Sequence, residues 1–270
     1  MNIRFFASLR MTWKRKMNFA RASISGREEP MISKGGVAVL VVLTHFFLVS
    51  GVWAQQDLLD QAMAAFKAHQ YAQAEKLLGT YLQDHPQAVE ARRHRALALS
   101  RLERPQEALT EVEAGLQHHP KEVSLLLVKG SILGELTRRE EAIQVFTQVL
   151  QQDPKNGEAL KERGNNFANE GRLEEAMRDL NQAAQLLPQD PWVFNHRGMV
   201  YFCQNDFKAA VADFSAAITL RPDLPHAYFF RGNLYRYHLN QPDKALADFK
   251  EGCRLGHPLC CQELEKSQTK

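Results

Sequence analysis

Proline recurs every 34 residues along this chain, at Pro86, Pro120, Pro154, Pro188 and Pro222. The same interval separates Ala62, Ala96, Gly130, Gly164, Gly198 and Gly232. A third ladder runs through Ala74, Ala108, Ala142, Ala176 and Ala210, with Ala245 arriving one residue late. Three ladders in one phase mean that a single structural unit is repeated. Counting places from Gln55, Val89, Val123, Gly157, Pro191 and Pro225, place eight is always Ala or Gly and place twenty is Ala.

The small residues have a steric purpose. Antiparallel helices approach to about 8–10 Å only where their contact residues are small, so one small residue on each helix marks a crossing. Larger apolar residues fill the flanks. Place eleven holds Ala65, Leu99, Leu133, Phe167, Tyr201 and Tyr235, and place twenty-four holds Leu78, Val112, Phe146, Leu180, Phe214 and the shifted Phe249. Offsets of three and four define helical faces. The proline ends the second helix because it lacks the amide hydrogen that a continuing helix requires. A further ladder puts Arg95, Arg163, Arg197 and Arg231 at place seven with Glu111, Asp179, Asp213 and Asp248 at place twenty-three. These are expected to be partly exposed cross-helix ion pairs, worth about 0–1 kcal/mol each. Repeat three breaks the rule, with Lys129 opposite Val145.

This pattern resembles the tetratricopeptide repeat family. The resemblance implies an all-α, right-handed superhelical solenoid of helix-turn-helix units with a concave groove. The repeats are 55–88, 89–122, 123–156, 157–190, 191–224 and 225–258, with a C-terminal capping helix over 257–268 and one inserted residue near Asn240 to Pro242. Stacking shares one core among units that cannot bury their apolar faces singly. Polar Glu263, Glu265 and Lys266 are expected to cover the last open end.

In the family the groove is lined by first helices, at places two, five, six, nine, twelve and thirteen. Here those places are mixed in repeats one to four and include Lys161 and Asn165. Repeats five and six offer Trp192, Asn195, His196, Met199 and Phe202, then Phe229, Phe230, Asn233, Arg236 and Tyr237. Aromatics interspersed with amide and guanidinium groups suit recognition of a peptide or helical segment of another protein. The competing reading is packing, with Phe229 or Phe230 lying under the closing helix. Lys161 and Asn165 also match the first pair of a carboxylate clamp known in some members. His196, His226 and Phe230 stand where its other members belong, so that clamp is not expected.

Lys and Arg total 34 and Asp and Glu 31, but eight of the bases and only two of the acids precede Val37. The remainder is slightly acidic, so the basic balance of the whole chain is no argument for nucleic acid as a partner. From Val37 to Ala54 the chain carries no charged residue and ends in Val52-Trp53-Ala54, the small-residue spacing of a signal-peptidase site. Residues 1–54 are therefore read as a basic leader followed by a signal peptide or signal anchor, and 55–270 as the repeat domain. Cleavage after Ala54 makes the body periplasmic or secreted; otherwise 37–54 tethers it, the only expected contact with a membrane. Translation starts at Met1 or at Met31, from which a compact signal peptide also runs.

The four cysteines are Cys203, Cys253, Cys260 and Cys261. An exported protein meets an oxidising compartment. The spacing of Cys253 and Cys261 resembles the helix-linking cystines of secreted cysteine-rich relatives of this solenoid, which implies a bridge between them, with Cys260 as the competing partner. No metal-spaced Cys/His cluster, phosphate loop or nucleophile elbow occurs, so no metal, cofactor or catalytic residue is expected. Glu140, Glu141, Glu174 and Glu175 open second helices, where acids favour the exposed amides. The function expected is a protein-interaction scaffold or assembly factor of the cell envelope. The alternatives are an organiser of an envelope complex acting through its convex surface, and a hydrolase or carbohydrate-binding module.

Overall fold

The computed structural model describes residues 57–268, all of them in helices and turns with no strand. The expectations about the leader, its cleavage site and the alternative start lie outside the described residues. The chain divides at Ala54/Gln55, and the described residues belong to the second unit.

Helices alternate in pairs. α1 covers 57–67, α2 Tyr71–Asp84, α3 Val89–Arg101, α4 Pro105–His118 and α5 Val123–Glu135. Then come α6 Arg139–Gln152, α7 Gly157–Asn169, α8 Leu173–Leu186, α9 Pro191–Cys203 and α10 Phe207–Leu220. α11 runs Pro225–Asn233 and continues as a π-helical turn, Leu234–His238, before α12 Pro242–Arg254 and α13 Pro258–Gln268. Each helix packs on its neighbour in sequence, and the first helices α3, α5, α7 and α9 also touch one another in succession. The second helices make no comparable contact. The stack therefore bends toward its first helices, and the concave face is theirs.

The turns follow from backbone chemistry. Place fifteen has positive φ throughout, at His69, Glu103 and Thr137 (each 59°), Gly171 (76°) and Asn205 (61°). In repeat two the Arg104 amide reaches the Leu99 carbonyl at 3.0 Å and the Glu103 amide that of Ser100 at 3.0 Å. This pair of bonds satisfies the helix's last carbonyls and turns the chain back on itself. In repeat six the left-handed residue is Asn240, one place late. The extra residue is not housed at Asn240 to Pro242, as the spacing suggested. It is absorbed one turn earlier, where the Leu239 amide bonds the Leu234 carbonyl five residues back at 3.0 Å. A π turn is how a helix takes in one residue without unwinding.

Every small residue of place eight and place twenty is buried, and a Cβ on Gly164 would lie 3.3 Å from the Ala176 carbonyl oxygen. The closest neighbour of place eight, however, is the side chain at place twenty-four. A Cβ on Gly130 would stand 2.5 Å from Phe146, and one on Gly232 2.7 Å from Phe249. Place eight is glycine in all three repeats where place twenty-four is phenylalanine, and alanine where it is Leu78 or Val112; repeat four departs from this, with Gly164 opposite Leu180. Volume on one helix is balanced by its absence on the other. The buried apolar residues form a file of adjoining clusters along the stack and not one continuous body, as expected where each unit touches only its neighbours.

The ion-pair ladder is present and more deeply set than its exposed-pair reading. Arg163 grips Asp179 with two bonds of 2.7 and 3.0 Å, Arg197 grips Asp213 at 2.7 and 2.9 Å, and Arg231 grips Asp248 at 2.9 and 2.7 Å. The three carboxylates are buried. Each arginine also reaches back to the previous repeat's second helix, to Thr147 at 3.0 Å, Asn181 at 3.1 Å and Ser215 at 2.9 Å. These acceptors share place twenty-five, and Lys129, the apparent exception, pairs with Glu113 at that same place at 2.9 Å. The ladder thus joins repeats as well as the two helices of one repeat.

Repeat six ends differently from the others. With no proline, its second helix stops at Gly256 (φ 87°), where the His257 amide bonds Gly252 and the Gly256 amide bonds Cys253, both at 2.9 Å. This tight turn brings α13 back onto α12, and a disulfide joins Cys253 to Cys261 with their Cα atoms 4.8 Å apart. Cys260 is a buried free thiol, pushed up to about 12 chiefly by its burial. Glu263 does not face outward as a polar cover. It is 7% exposed and takes Arg236 at 3.0 Å and the Tyr237 hydroxyl at 2.9 Å, anchoring the cap to the π turn. Replacing Cys253 and Cys261 together with Ser is expected to lower stability by about 2–3 kcal/mol for so short a loop. The check is a thermal melt with and without reductant, in which reduced wild type should melt with the variant.

Candidate partner-binding face

The first-helix face changes character along the stack. In repeat four its base is committed: Lys161 is 5% exposed and bonds Glu158 at 2.8 Å and Asp190 at 3.0 Å, with Glu162 at 3.4 Å. Burial opposes its charge, but these carboxylates outweigh burial and lift it to about 12. Glu162 moves up, chiefly through burial and against the pull of Lys161. Asn165, the other half of the clamp-like pair, is half-buried and accepts from Asn169 at 3.3 Å. A lysine already held by three acids has little to offer a terminal carboxylate, which agrees with discounting the clamp.

In repeat five, Trp192, His196, Met199 and Phe202 are all half-buried. Asp190 caps α9 by accepting from the Trp192 amide at 2.9 Å, which fixes where the indole starts. The indole stacks on His196 at 6.0 Å and lies under the Arg221 guanidinium at 5.8 Å. Met199 and Phe202 flank the core of repeats five and six, and the Phe202 ring meets His238 edge-on at 5.8 Å. Asn195 is buried, and its Oδ1 has no hydrogen-bond partner.

In repeat six Phe229, Phe230, Asn233 and Arg236 are half-buried, as Trp192, His196, Met199 and Phe202 are in repeat five, but more of them are engaged by the protein itself. Phe229 stacks on His257 at 4.8 Å, and Phe230 on Phe214 at 5.7 Å. Both serve packing, one beneath the cap and one against repeat five. Arg236 and Tyr237 turn to Glu263, although Tyr237 keeps 60% of its surface exposed. Asn233 is half-buried. The structure therefore brings Trp192, His196, Met199 and Phe202 together on one helix face and draws Phe229, Phe230 and Arg236 into the fold. Arg221, beside the tryptophan, follows a second helix and fell outside the first-helix places read from the sequence.

His196 is pushed down to about 4, by burial first and then by the charge of Lys161. The ring is thus neutral in the folded protein, whereas in an unfolded chain it takes a proton near pH 6.5. Below that value the unfolded state binds a proton the folded state refuses, so stability is lost as pH falls from about 6.5 toward 4. His94 and His257 shift the same way through burial. The urea midpoint is expected to fall between pH 7 and 5, and to fall less in His196→Gln; parallel curves would remove His196 from the explanation.

No group of three or more His, Cys, Asp or Glu is placed to hold a metal ion among the described residues. Nor is any helix among them long and apolar enough to cross a membrane.

The profile of the tetratricopeptide repeat family matches residues 59–122, 127–191 and 197–256, well over half of the chain. A comparison with curated proteins finds no match. Among solved structures, Pseudomonas aeruginosa pilF is similar with a TM-score of 0.65 and 17% identity, covering 79% of this chain and 97% of its own. The Thermus thermophilus protein TTC0263 has a TM-score of 0.59 and 19% identity, covering 67% of this chain and 99% of its own. YrrB, described as having an unusual peptide-binding site, has a TM-score of 0.50 and 17% identity, covering 70% of this chain and 97% of its own. At these identities the likeness is one of fold.

Proposed function

We propose, from the premise that this chain belongs to the tetratricopeptide repeat family, that it is an envelope scaffold or assembly factor holding a segment of a partner polypeptide on the first-helix face of repeats five and six. Members of the family are in general protein-interaction scaffolds that bind peptide or protein partners, and the fold is not an enzymatic one. The observation that carries the reading is the cluster of Trp192, Met199 and Phe202, half-buried along one face of α9. Large, well-fixed apolar side chains beside polar groups bind at small entropic cost. The envelope location is supported by the uncharged stretch from Val37 to Ala54 and by the Cys253–Cys261 disulfide, a bond that persists in oxidising compartments.

The test is capture of partners from envelope extract by the tagged protein, with Trp192→Ala/Phe202→Ala as the control. Loss of two anchors is expected to weaken capture at least about tenfold while the helical circular dichroism and melting remain those of a folded protein. Undiminished capture by the folded variant would count against this face. Finding the partner only in cytosolic fractions would count against the location.

A further inference from the structure

At the junction of repeats four and five the loop from Leu186 to Pro191 and the Trp192 ring border an open cleft of about 560 Å³, with Arg221 on its far side. The residue that borders this place varies along the stack, with His85, His119, Asp153, Leu187 and Arg221 at place thirty-one of repeats one to five. Arg221 stands at place thirty-one, where repeat four has Leu187, and Leu187 closes down on its own first helix so tightly that a Cβ on Gly157 would meet it at 2.7 Å. In repeat five the equivalent side chain is a cation lying over an indole, and the spot stays open.

The charges around the cleft leave that cation available. Asp190, the acid in the wall, is engaged by Lys161 at 3.0 Å and by the Trp192 amide at 2.9 Å. Arg221 is solvent-exposed and pairs with no carboxylate among the described residues. Beside it Leu186 keeps 37% of its surface exposed, one of the few large apolar side chains to do so. An always-protonated planar fork over an aromatic face, next to an uncovered aliphatic, matches a carboxylate neighboured by an apolar group.

We propose that this cleft selects the partner segment by an acidic residue: its carboxylate pairs with Arg221, and an adjoining aliphatic or aromatic side chain lies against Trp192 and Leu186. The proposal rests on the groove reading above and deepens it, adding an acidic requirement at the edge of the face. The contact is the partner's side chain and not a chain terminus, since the clamp-like lysine beside it is already neutralised by this protein's own acids.

The experiment is selection of a random peptide library on the purified full chain, in parallel with Arg221→Gln, Arg221→Lys and Trp192→Ala/Phe202→Ala. On the wild type, peptides carrying Asp or Glu next to an apolar residue are expected to be enriched. A selected peptide should bind about tenfold more weakly to Arg221→Gln, or when its acid is changed to the amide, with part of the loss restored in Arg221→Lys. Equal acid enrichment on wild type and Arg221→Gln, or none on the wild type, overturns the cleft proposal. Peptides that depend on Trp192 and Phe202 but not on Arg221 leave the groove reading standing and sink only the cleft. A wild type that selects no peptide sinks both.

Discussion

Changing Arg197 to Met is expected to cost about 3 kcal/mol, the loss that follows when one partner of a buried ion pair is removed and the other is left without compensation. The carboxylate left behind, Asp213, is 6% exposed and receives two bonds from the guanidinium. Asp213 in turn holds the Arg197 guanidinium above its ordinary pKa, a sign of how strongly the charged pair is preferred. The same arginine reaches Asn181 of the preceding repeat, so its loss also loosens the seam between repeats four and five. Converting both members, Arg197→Met with Asp213→Leu, should lie within about 1–2 kcal/mol of wild type, because no buried charge remains unpaired. Urea denaturation of the two single variants and the double completes the cycle. A single variant costing under about 1 kcal/mol would return the ladder to the surface-pair class.

The second large effect concerns packing at place eight. Gly130→Ala is expected to destabilise by about 2 kcal/mol or more, since overpacking a full core outweighs the helix propensity gained. Its Cβ would stand 2.5 to 2.9 Å from three ring atoms of Phe146, a side chain with no exposed surface and no free direction to move. Gly198→Ala, the same change in repeat five, meets Phe214 at 3.1 to 3.2 Å. There a shift of a few tenths of an ångström suffices, and the propensity gain of about 0.5–1 kcal/mol leaves the net effect near zero. Adding Phe146→Leu to Gly130→Ala recreates the Ala62/Leu78 pair of repeat one and should restore most of the loss. Equal melting of the two glycine variants would show that the backbone relaxes and that the volume pairing is not what sets the spacing.

These two effects mark what could be read in advance and what could not. The helix pairs, their number and the small-residue crossings were all legible, because a spacing of 34 residues repeated in phase leaves few architectures that could satisfy it. The partnership of place eight with place twenty-four was equally present in the residues, as glycine opposite every phenylalanine and alanine opposite Leu78 and Val112, with Gly164 opposite Leu180 the one mixed pair. The two small ladders, which also meet at a crossing, mask it, because their fixed residue types are the stronger signal. The charge ladder was readable within a repeat but not between repeats. Its acceptors at place twenty-five, Glu113, Thr147, Asn181 and Ser215, share hydrogen-bonding capacity and no residue type, so no ladder of like residues betrays them.

The candidate face was legible as a set of residue types and not as a surface. Trp192, Met199, Phe202, Phe229, Phe230 and Arg236 are all half-buried, but Phe229 and Arg236 are engaged by the cap and Phe230 stacks on the core of repeat five. Nothing in their identities separates the two groups. The sequence by itself determined the periodic framework, since helix faces and crossing points depend on neighbours a fixed few residues apart. Only the tertiary structure decided which groove side chains the cap and the neighbouring repeat engage, where the extra residue of repeat six is absorbed, and that Arg221 lies over Trp192. Those outcomes depend on the packing of residues distant in the chain, at positions where the repeat breaks its rule or sets none, and the period no longer says what meets what.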